Sequence, residues 1–286
     1  MKGAMKRGWR KASDVLIYLL LSILGLLWVA PIFYLVYTAF RITPSTGIIN
    51  TLFPKDLQLG LGNFTRLFKE TMFSKWLLNT LIVSASSCAL TTLFILMVSY
   101  AFSRLRFKLR KPLMNILLVL GMFPGFMSMI AVYFILKAMG LTNSLFALVL
   151  VYSGGAALSY YICKGFFDTV PKAMEEAAVI DGASQPMIFW KIILPMAKPI
   201  IVYTVLTSFI APWCDFIFVN TIISERDKYT VSLGLYKMIN AEKNSFNDNF
   251  TTFCAGSFVV GVIIVSLFMS MQKYYVEGVT SGAVKG

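Results

Sequence analysis

In polarity alone, the chain is a series of long apolar runs separated by short charged stretches. Val15–Phe40, Trp76–Ser103, Pro112–Leu136, Ala138–Cys163 and Phe250–Gln272 contain no Asp, Glu, Lys or Arg. A further run, Pro199–Ser224, is interrupted by Asp215 alone. Each exceeds the ~20 residues a helix needs to cross the hydrocarbon core of a bilayer. The pattern predicts an all-α membrane protein with six transmembrane helices, the fourth beginning near Thr142 after the polar turn Gly140-Leu-Thr-Asn-Ser.

One stretch between these runs is too polar for lipid. Glu175–Pro199 carries the carboxylates Glu175, Glu176 and Asp181. Asp168 or Thr169 supplies a helix start, with Pro171 in the first turn, where its missing N–H does no harm. Residues 172–181 are good helix formers, and Gly182 stops them because glycine enters the left-handed conformation of a C-cap readily. Ser184 and Pro186 open a second helix, Met187–Leu194, which Pro195 is expected to end. The result is a short helix-turn-helix on an aqueous face. Its small Ala177, Ala178 and Ala183 let another surface come close.

Composition agrees with the pattern: 58% of residues are hydrophobic and only 14% charged, against about 25% charged in a soluble domain. Basic residues set the orientation, since Lys and Arg favour the cytoplasmic side. With six spans both termini share one side with the 104–111 and 164–198 loops, and that side holds the larger share of them. The short cluster Arg104–Lys111, basic at five of eight positions, decides most strongly. Both termini and the helix-turn-helix are therefore expected in the cytoplasm. The net charge of +13 reads as topology and contact with anionic membrane lipid. No soluble basic face exists for nucleic acid. The basic N-terminus is followed by 26 uncharged residues, longer than the 7–15-residue core of a signal peptide, so an uncleaved first span is expected.

Several chemistries are excluded. The chain contains no histidine, which removes His-based triads and HExxH zinc sites. No phosphate-binding G-x-x-x-x-G-K-[ST] loop occurs. Cys88, Cys163, Cys214 and Cys254 lie within or at the ends of apolar runs without metal-ligand spacing. No catalytic or metal site is expected, and any energy source lies on another chain.

The polar stretch resembles the EAA loop of bacterial ABC importer permeases: E-A-A, three residues, G, nine residues, I, one residue, L-P. Glu176-Ala177-Ala178, Gly182, Ile192 and Leu194-Pro195 stand at those spacings. Seven such matches arise by chance on the order of once per hundred million starting positions. Lys164-Gly165-Phe166-Phe167, Val170-Pro171 and Glu175 extend the match in its carbohydrate-uptake form. Asn63-Phe64 with Leu67-Phe68, Met122-Phe123-Pro124-Gly125 and Met139-Gly140-Leu141 also resemble sugar permeases. Ala131-Val132 stands where they usually carry Pro, and Trp213-Cys214-Asp215-Phe216 stands where they carry W-N-D/E-F. The tail, with Gln272, Tyr274, Gly278, Gly282, Lys285 and Gly286, resembles the ending of MalG-type subunits of maltose and oligosaccharide importers.

The resemblance implies a leader, first span and outer loop over 1–75, the importer core domain over 76–273 and a cytoplasmic tail over 274–286. It implies a subunit importing di- or oligosaccharides of maltodextrin type in a bacterial cytoplasmic membrane. Its partners would be a second homologous permease, two ABC ATPase subunits that hold ATP and magnesium, and an extracytoplasmic sugar-binding protein. The EAA residues would dock on an ATPase, and the glycine-bearing tail, as an extended peptide, would contact the ATPases. Pro124, Trp213 and Asp215 are candidates for the translocation pathway. A carboxylate near mid-span costs about 2.5–3.5 kcal/mol on insertion scales, so Asp215 faces protein or water. It either takes sugar hydroxyls, with Trp213 stacking on the ring, or holds another helix. The loop 225–248 either reaches toward the binding protein or is a solvated connector. The competing function is an ion-coupled secondary transporter. Such folds carry inverted repeats and several intramembrane ionisable groups, whereas here Asp215 stands alone.

Overall fold

The computed structural model describes the backbone of residues 2–42, 58–122, 125–155, 157–240 and 245–283. Side chains are described over the same segments except 2–13, 126, 245–248 and 275–283. The described elements are helical: α1 Lys2–Phe40, α2 Gly62–Glu70, α3 Phe73–Arg104, α4 Arg110–Met122, α5 Gly125–Ala138, α6 Leu145–Gly154 and α7 Ala157–Thr169. The second half continues with α8 Ala173–Ile180, α9 Gln185–Ile188, a π turn Phe189–Ile193, α10 Leu194–Met196 and α11 Lys198–Cys214. After them come α12 Ile217–Ile222, a 3-10 turn Arg226–Lys228, α13 Val231–Asn240 and α14 Ser245–Ala283. Among the described residues the β-structure is an isolated bridge, Arg41 to Leu59.

Three helical stretches, Asp14–Phe40, Phe73–Arg104 and Asn249–Tyr274, are long and apolar enough to cross a membrane singly. Three further pairs reach that length only as two helices bent by more than 40° at a break, for up to six spans in all. Two of the pairs, α4 with α5 and α6 with α7, coincide with the third and fourth predicted runs. The other joins Gln185–Met196 to α11 at 83°, whereas the sequence pattern runs the fifth span unbroken through Asp215. Asp215 instead ends α11 with an extended ψ of 108°.

Two compact units are present. In the unit formed by residues 1–71 and 238–259, Asn63 donates from its amide to the carbonyls of Ala39 (3.0 Å) and Arg41 (2.7 Å). The first is a last-turn carbonyl of α1, left without an intrahelical partner, and the second belongs to the residue just past the helix end. Phe40, Phe64 and Phe258 cluster with ring centroids 5.0–6.0 Å apart.

In the unit formed by 72–237 and 260–286, α3 is the central helix, in contact with α6, α7 and α11. Its buried face is lined by small and hydroxylated side chains, among them Thr80, Ser84, Ser87, Thr91, Ser99 and Ser103. Its exposed large hydrophobic side chains are Leu78, Leu81, Ile82, Leu90, Leu93, Phe94 and Met97. That inversion of the soluble pattern is what a bilayer favours. Lipid is as apolar as leucine, so close packing and hydrogen bonds select the interface residues. Accordingly Ser99 Oγ donates to the Tyr160 carbonyl at 3.0 Å and Thr91 Oγ1 to that of Tyr152 at 3.3 Å.

The 225–248 segment is not a loose connector where it is described. Trp76 Nε1 donates to the Arg226 carbonyl at 2.9 Å, and Asn79 Nδ2 to those of Asp227 and Tyr229, both at 2.9 Å. Val231, Leu233 and Leu235 of α13 are buried. These tethers join residues about 150 positions apart, so no local pattern announces them.

Candidate functional site

The helix-turn-helix forms much as its residues predict. α8 spans Ala173–Ile180, and Gly182 adopts φ +83°. The Ala183 N–H reaches the Ala178 carbonyl at 2.9 Å and the Gly182 N–H that of Val179 at 3.0 Å. This is the paired hydrogen bonding of a Schellman cap. Ser184 takes the extended N-cap position with Pro186 in the first turn. Two local details differ. α8 starts after Lys172, not at Asp168 or Thr169, because α7 continues through Thr169 and the Asp168 carboxylate is engaged by Ser103 (2.6 Å) and Lys164. The second helical segment runs on to Met196. It passes Pro195 by widening: the Leu194 N–H bonds Phe189, five residues back, shifting the ladder ahead of the residue that cannot donate.

The inner face of this hairpin is a core. Ala178, Ile188, Phe189, Ile193 and Ala197 pack with Ile95, Leu96 and Tyr100 of α3 and Cys163 and Phe167 of α7, with Ala183, Ile192 and Leu194 against its edge. Polar contacts fix it further. The Tyr100 hydroxyl donates to Gln185 Oε1 at 3.2 Å, and an Arg104 terminal nitrogen donates to the Val170 carbonyl at 2.8 Å. Arg104 Nε lies 2.6 Å from Glu175 Oε1, with the two side chains only 5% and 13% exposed. That approach is a charge contact and not an aligned hydrogen bond, since neither atom finds an aligned partner.

The outer face is different. Glu176, Ala177, Asp181, Gly182 and Pro195 are exposed. Beside them stand exposed Met174, Val179, Met187 and Trp190, and Ile180 at 85% exposure. Glu175 therefore turns inward and Glu176 outward. Their sequence positions do not separate them, and Arg104 is legible only as the first base of a topogenic cluster.

A cavity of about 470 Å³ lies among the bent helices. It is lined by Thr91 and Ile95 of α3, Gly125, Ser128, Met129 and Val132 of α5, and Val151 and Tyr152 of α6. Gly155, Ser159 of α7, Thr207, Ser208 and Ala211 of α11, Asp215, and Phe218 of α12 complete it. Gly155 and Asp215, where α6 and α11 end, line this space. Asp215 Oδ2 accepts the Tyr152 hydroxyl at 3.0 Å, while Oδ1 accepts the Phe218 N–H at 3.0 Å. Its own carbonyl accepts from Ser232 Oγ at 2.8 Å. Asp215 thus lines the cavity, holds Tyr152 of α6 and caps α12. Trp213 does not line the cavity. It is buried, with its ring 5.9 Å from that of Phe209. Tyr152 has no local sequence signal, lying 63 positions from its partner. Pro124 lies outside the described residues.

In the tail, Gln272 and Tyr274 are exposed, with Lys273 Nζ 4.8 Å from the Tyr274 ring. The backbone stays helical through Gly278 and Gly282 to Ala283, where glycine content suggests an extended peptide. Propagating an existing helix avoids the nucleation cost, and this offsets part of the glycine penalty. Lys285 and Gly286 lie outside the described residues. Among the described residues no cluster of His, Cys, Asp or Glu could hold a metal ion.

Residues 91–277 match the family described as binding-protein-dependent transport system inner membrane component. The chain is 33% identical over 274 residues to the galactooligosaccharides transport system permease protein GanQ of Bacillus subtilis (strain 168), covering 94% of each chain. It is 32% identical over 280 residues to the maltodextrin transport system permease protein MalD of Streptococcus pneumoniae, covering 97% of each. With the maltose/maltodextrin transport system permease protein MalG of Escherichia coli K12 the identity is 29% over 217 residues, or 74% of this chain and 72% of that one. A solved bacterial ABC transporter involved in import of the acidic polysaccharide alginate shares the fold at a TM-score of 0.77. There the identity is 20%, over 93% of this chain and 97% of that one.

Proposed function

The chain belongs to the family of binding-protein-dependent transport system inner membrane components, and from that premise we propose that it is the MalG-like permease subunit of an ATP-driven importer of neutral oligosaccharides, of maltodextrin or galactooligosaccharide type. Its relatives are carbohydrate ABC transport permeases, and it acts as a transport subunit, not as an enzyme. It sits in the bacterial inner membrane with both termini in the cytoplasm. A second homologous permease completes the pathway, two ATPase subunits supply ATP hydrolysis, and an extracytoplasmic sugar-binding protein delivers the substrate.

The observation that carries the coupling role is the two-faced hairpin. One face is welded to α3 and α7 by a buried core and the Arg104–Glu175 contact. The other exposes Ile180 at 85% between Glu176 and Gly182. An exposed apolar patch outside the spans, rimmed by carboxylates, is the mark of a protein-docking surface. An ATPase seated there, with a basic residue opposite Glu176, would move the hairpin on closing around ATP. The welded face would pass that motion to α3, whose neighbours line the cavity. Differential contact of the ATPase in its open and closed forms is the energy source such a switch requires.

The test is purification of a tagged chain from native membranes in mild detergent. One paralogous permease and a P-loop ATPase should accompany it, and Glu176→Lys should release the ATPase while the permease pair persists. ATP-dependent uptake should survive collapse of the proton gradient. Uptake that follows the gradient and not ATP would replace this reading with ion-coupled transport.

A further inference from the structure

The cavity wall has a chemical bias that sets what it can hold. Thr91 Oγ1, Ser128 Oγ and Thr207 Oγ1 donate their hydroxyl hydrogens to the carbonyls of Tyr152 (3.3 Å), Gly125 (2.8 Å) and Tyr203 (2.9 Å). Ser208 Oγ donates to the Thr204 carbonyl, and the Tyr152 hydroxyl to Asp215 at 3.0 Å. These five hydroxyl hydrogens are thus committed inside the protein, and what these oxygens have left is lone pairs; the Ser159 hydroxyl, which also lines the space, is the remaining side-chain donor among the described lining residues. Asp215 adds a carboxylate with one protein donor on each oxygen, leaving about two further acceptor positions. Among the described residues lining the space there is no Lys or Arg. The wall is therefore rich in acceptors, poor in donors and negative.

We propose that this cavity is a subsite for the hydroxyls of neutral sugars that rejects acidic ones, so that part of the importer's substrate selection resides in this subunit. The proposal rests on the carbohydrate reading above. A neutral oligosaccharide presents several O–H donors, which the free lone pairs of Asp215 and the Tyr152, Thr207 and Ser208 oxygens accept. A uronic acid presents a carboxylate, an acceptor without a hydrogen, to a wall of acceptors that carries the same charge. The volume of about 470 Å³ falls within the roughly 300–1,000 Å³ of small-ligand sites. Asp215 and Tyr152 are the specificity-determining pair.

The experiment uses the assembled permease–ATPase complex in nanodiscs without the sugar-binding protein, so that any selection belongs to the membrane part. Equilibrium dialysis with radiolabelled maltotetraose, galactotetraose and a tetrameric oligouronate reads binding. Retention of at least one neutral oligosaccharide and exclusion of the uronate are expected. Asp215→Asn keeps an oxygen for the Phe218 N–H and should weaken neutral binding by about tenfold, the scale of one charge-assisted hydrogen bond, while narrowing the gap to the uronate. Tyr152→Phe, which preserves the ring, should weaken it severalfold. Uronate binding equal to that of the neutral sugars overturns the proposal, as does absence of any neutral binding. So does unchanged neutral binding in both variants, each shown to assemble. ATP-driven uptake of the same sugars, with the binding protein restored, separates the two levels. No import of any carbohydrate removes the carbohydrate reading as well. Import of neutral sugar at wild-type rate by both variants removes the subsite alone.

Discussion

Glu175→Ala is the change that most sharply separates the two neighbouring carboxylates. The Arg104 and Glu175 side chains are 5% and 13% exposed and approach to 2.6 Å, so removing the acid strands a buried guanidinium. Breaking a buried pair on one side costs about 3–5 kcal/mol. Arg104 retains the Val170 carbonyl at 2.8 Å as a hydrogen-bond partner, so the lower end applies, about 3 kcal/mol. Glu176→Ala, at an exposed position, should stay within about 0.5 kcal/mol of the parent while uptake falls. The assay is denaturant unfolding of the purified complex followed by tryptophan fluorescence, with transport measured on the same preparations. The paired replacement Arg104→Met with Glu175→Met should recover most of the loss, because an apolar pair leaves no uncompensated charge. Equal stability of the Glu175→Ala and Glu176→Ala proteins would refute the reasoning.

Other consequences are equally direct. Gly182→Val places a β-branched residue at φ +83° and should cost about 1–2 kcal/mol and depress uptake; Gly182→Asn, which tolerates that region, should keep most of both. Gly234→Ala drives a Cβ into the Trp76 ring, itself anchored by its indole N–H on the Arg226 carbonyl. Such overpacking should cost about 1–3 kcal/mol, read as lower yield and earlier thermal unfolding; parent-like melting would show that the ring moves aside. Thr80→Val removes the oxygen that accepts the Val231 N–H at 2.8 Å. It should loosen α13, raising amide exchange across 231–235 above that of the parent.

Much of this arrangement is legible in the chain because it is local. The apolar runs locate membrane-length segments, and the glycine between two helix-forming stretches gives the Schellman turn at Gly182 before any contact is known. What is not legible depends on partners distant in sequence. Tyr152 and Asp215 pair across 63 positions, and Asn79 holds Asp227 and Tyr229 across about 150. The sequence places Asp215 within a span but not at its break, because the extended backbone there follows from Asp215 capping α12 and lining a cavity. Pro195 is a proper breaker signal defeated by one widened turn. Glu175 and Glu176 read alike until the position of Arg104 assigns one to the interior and the other to the surface.

The central claim, that the outer face of the hairpin is the ATPase dock, is tested most directly by a photo-crosslinking amino acid at position 180 in native membranes. Irradiation should join the chain to a P-loop ATPase, with the adduct lost in the Glu176→Lys protein and retained when the crosslinker is accompanied by Asp215→Asn. Capture of lipid alone, or an ATPase adduct indifferent to Glu176→Lys, would contradict the account.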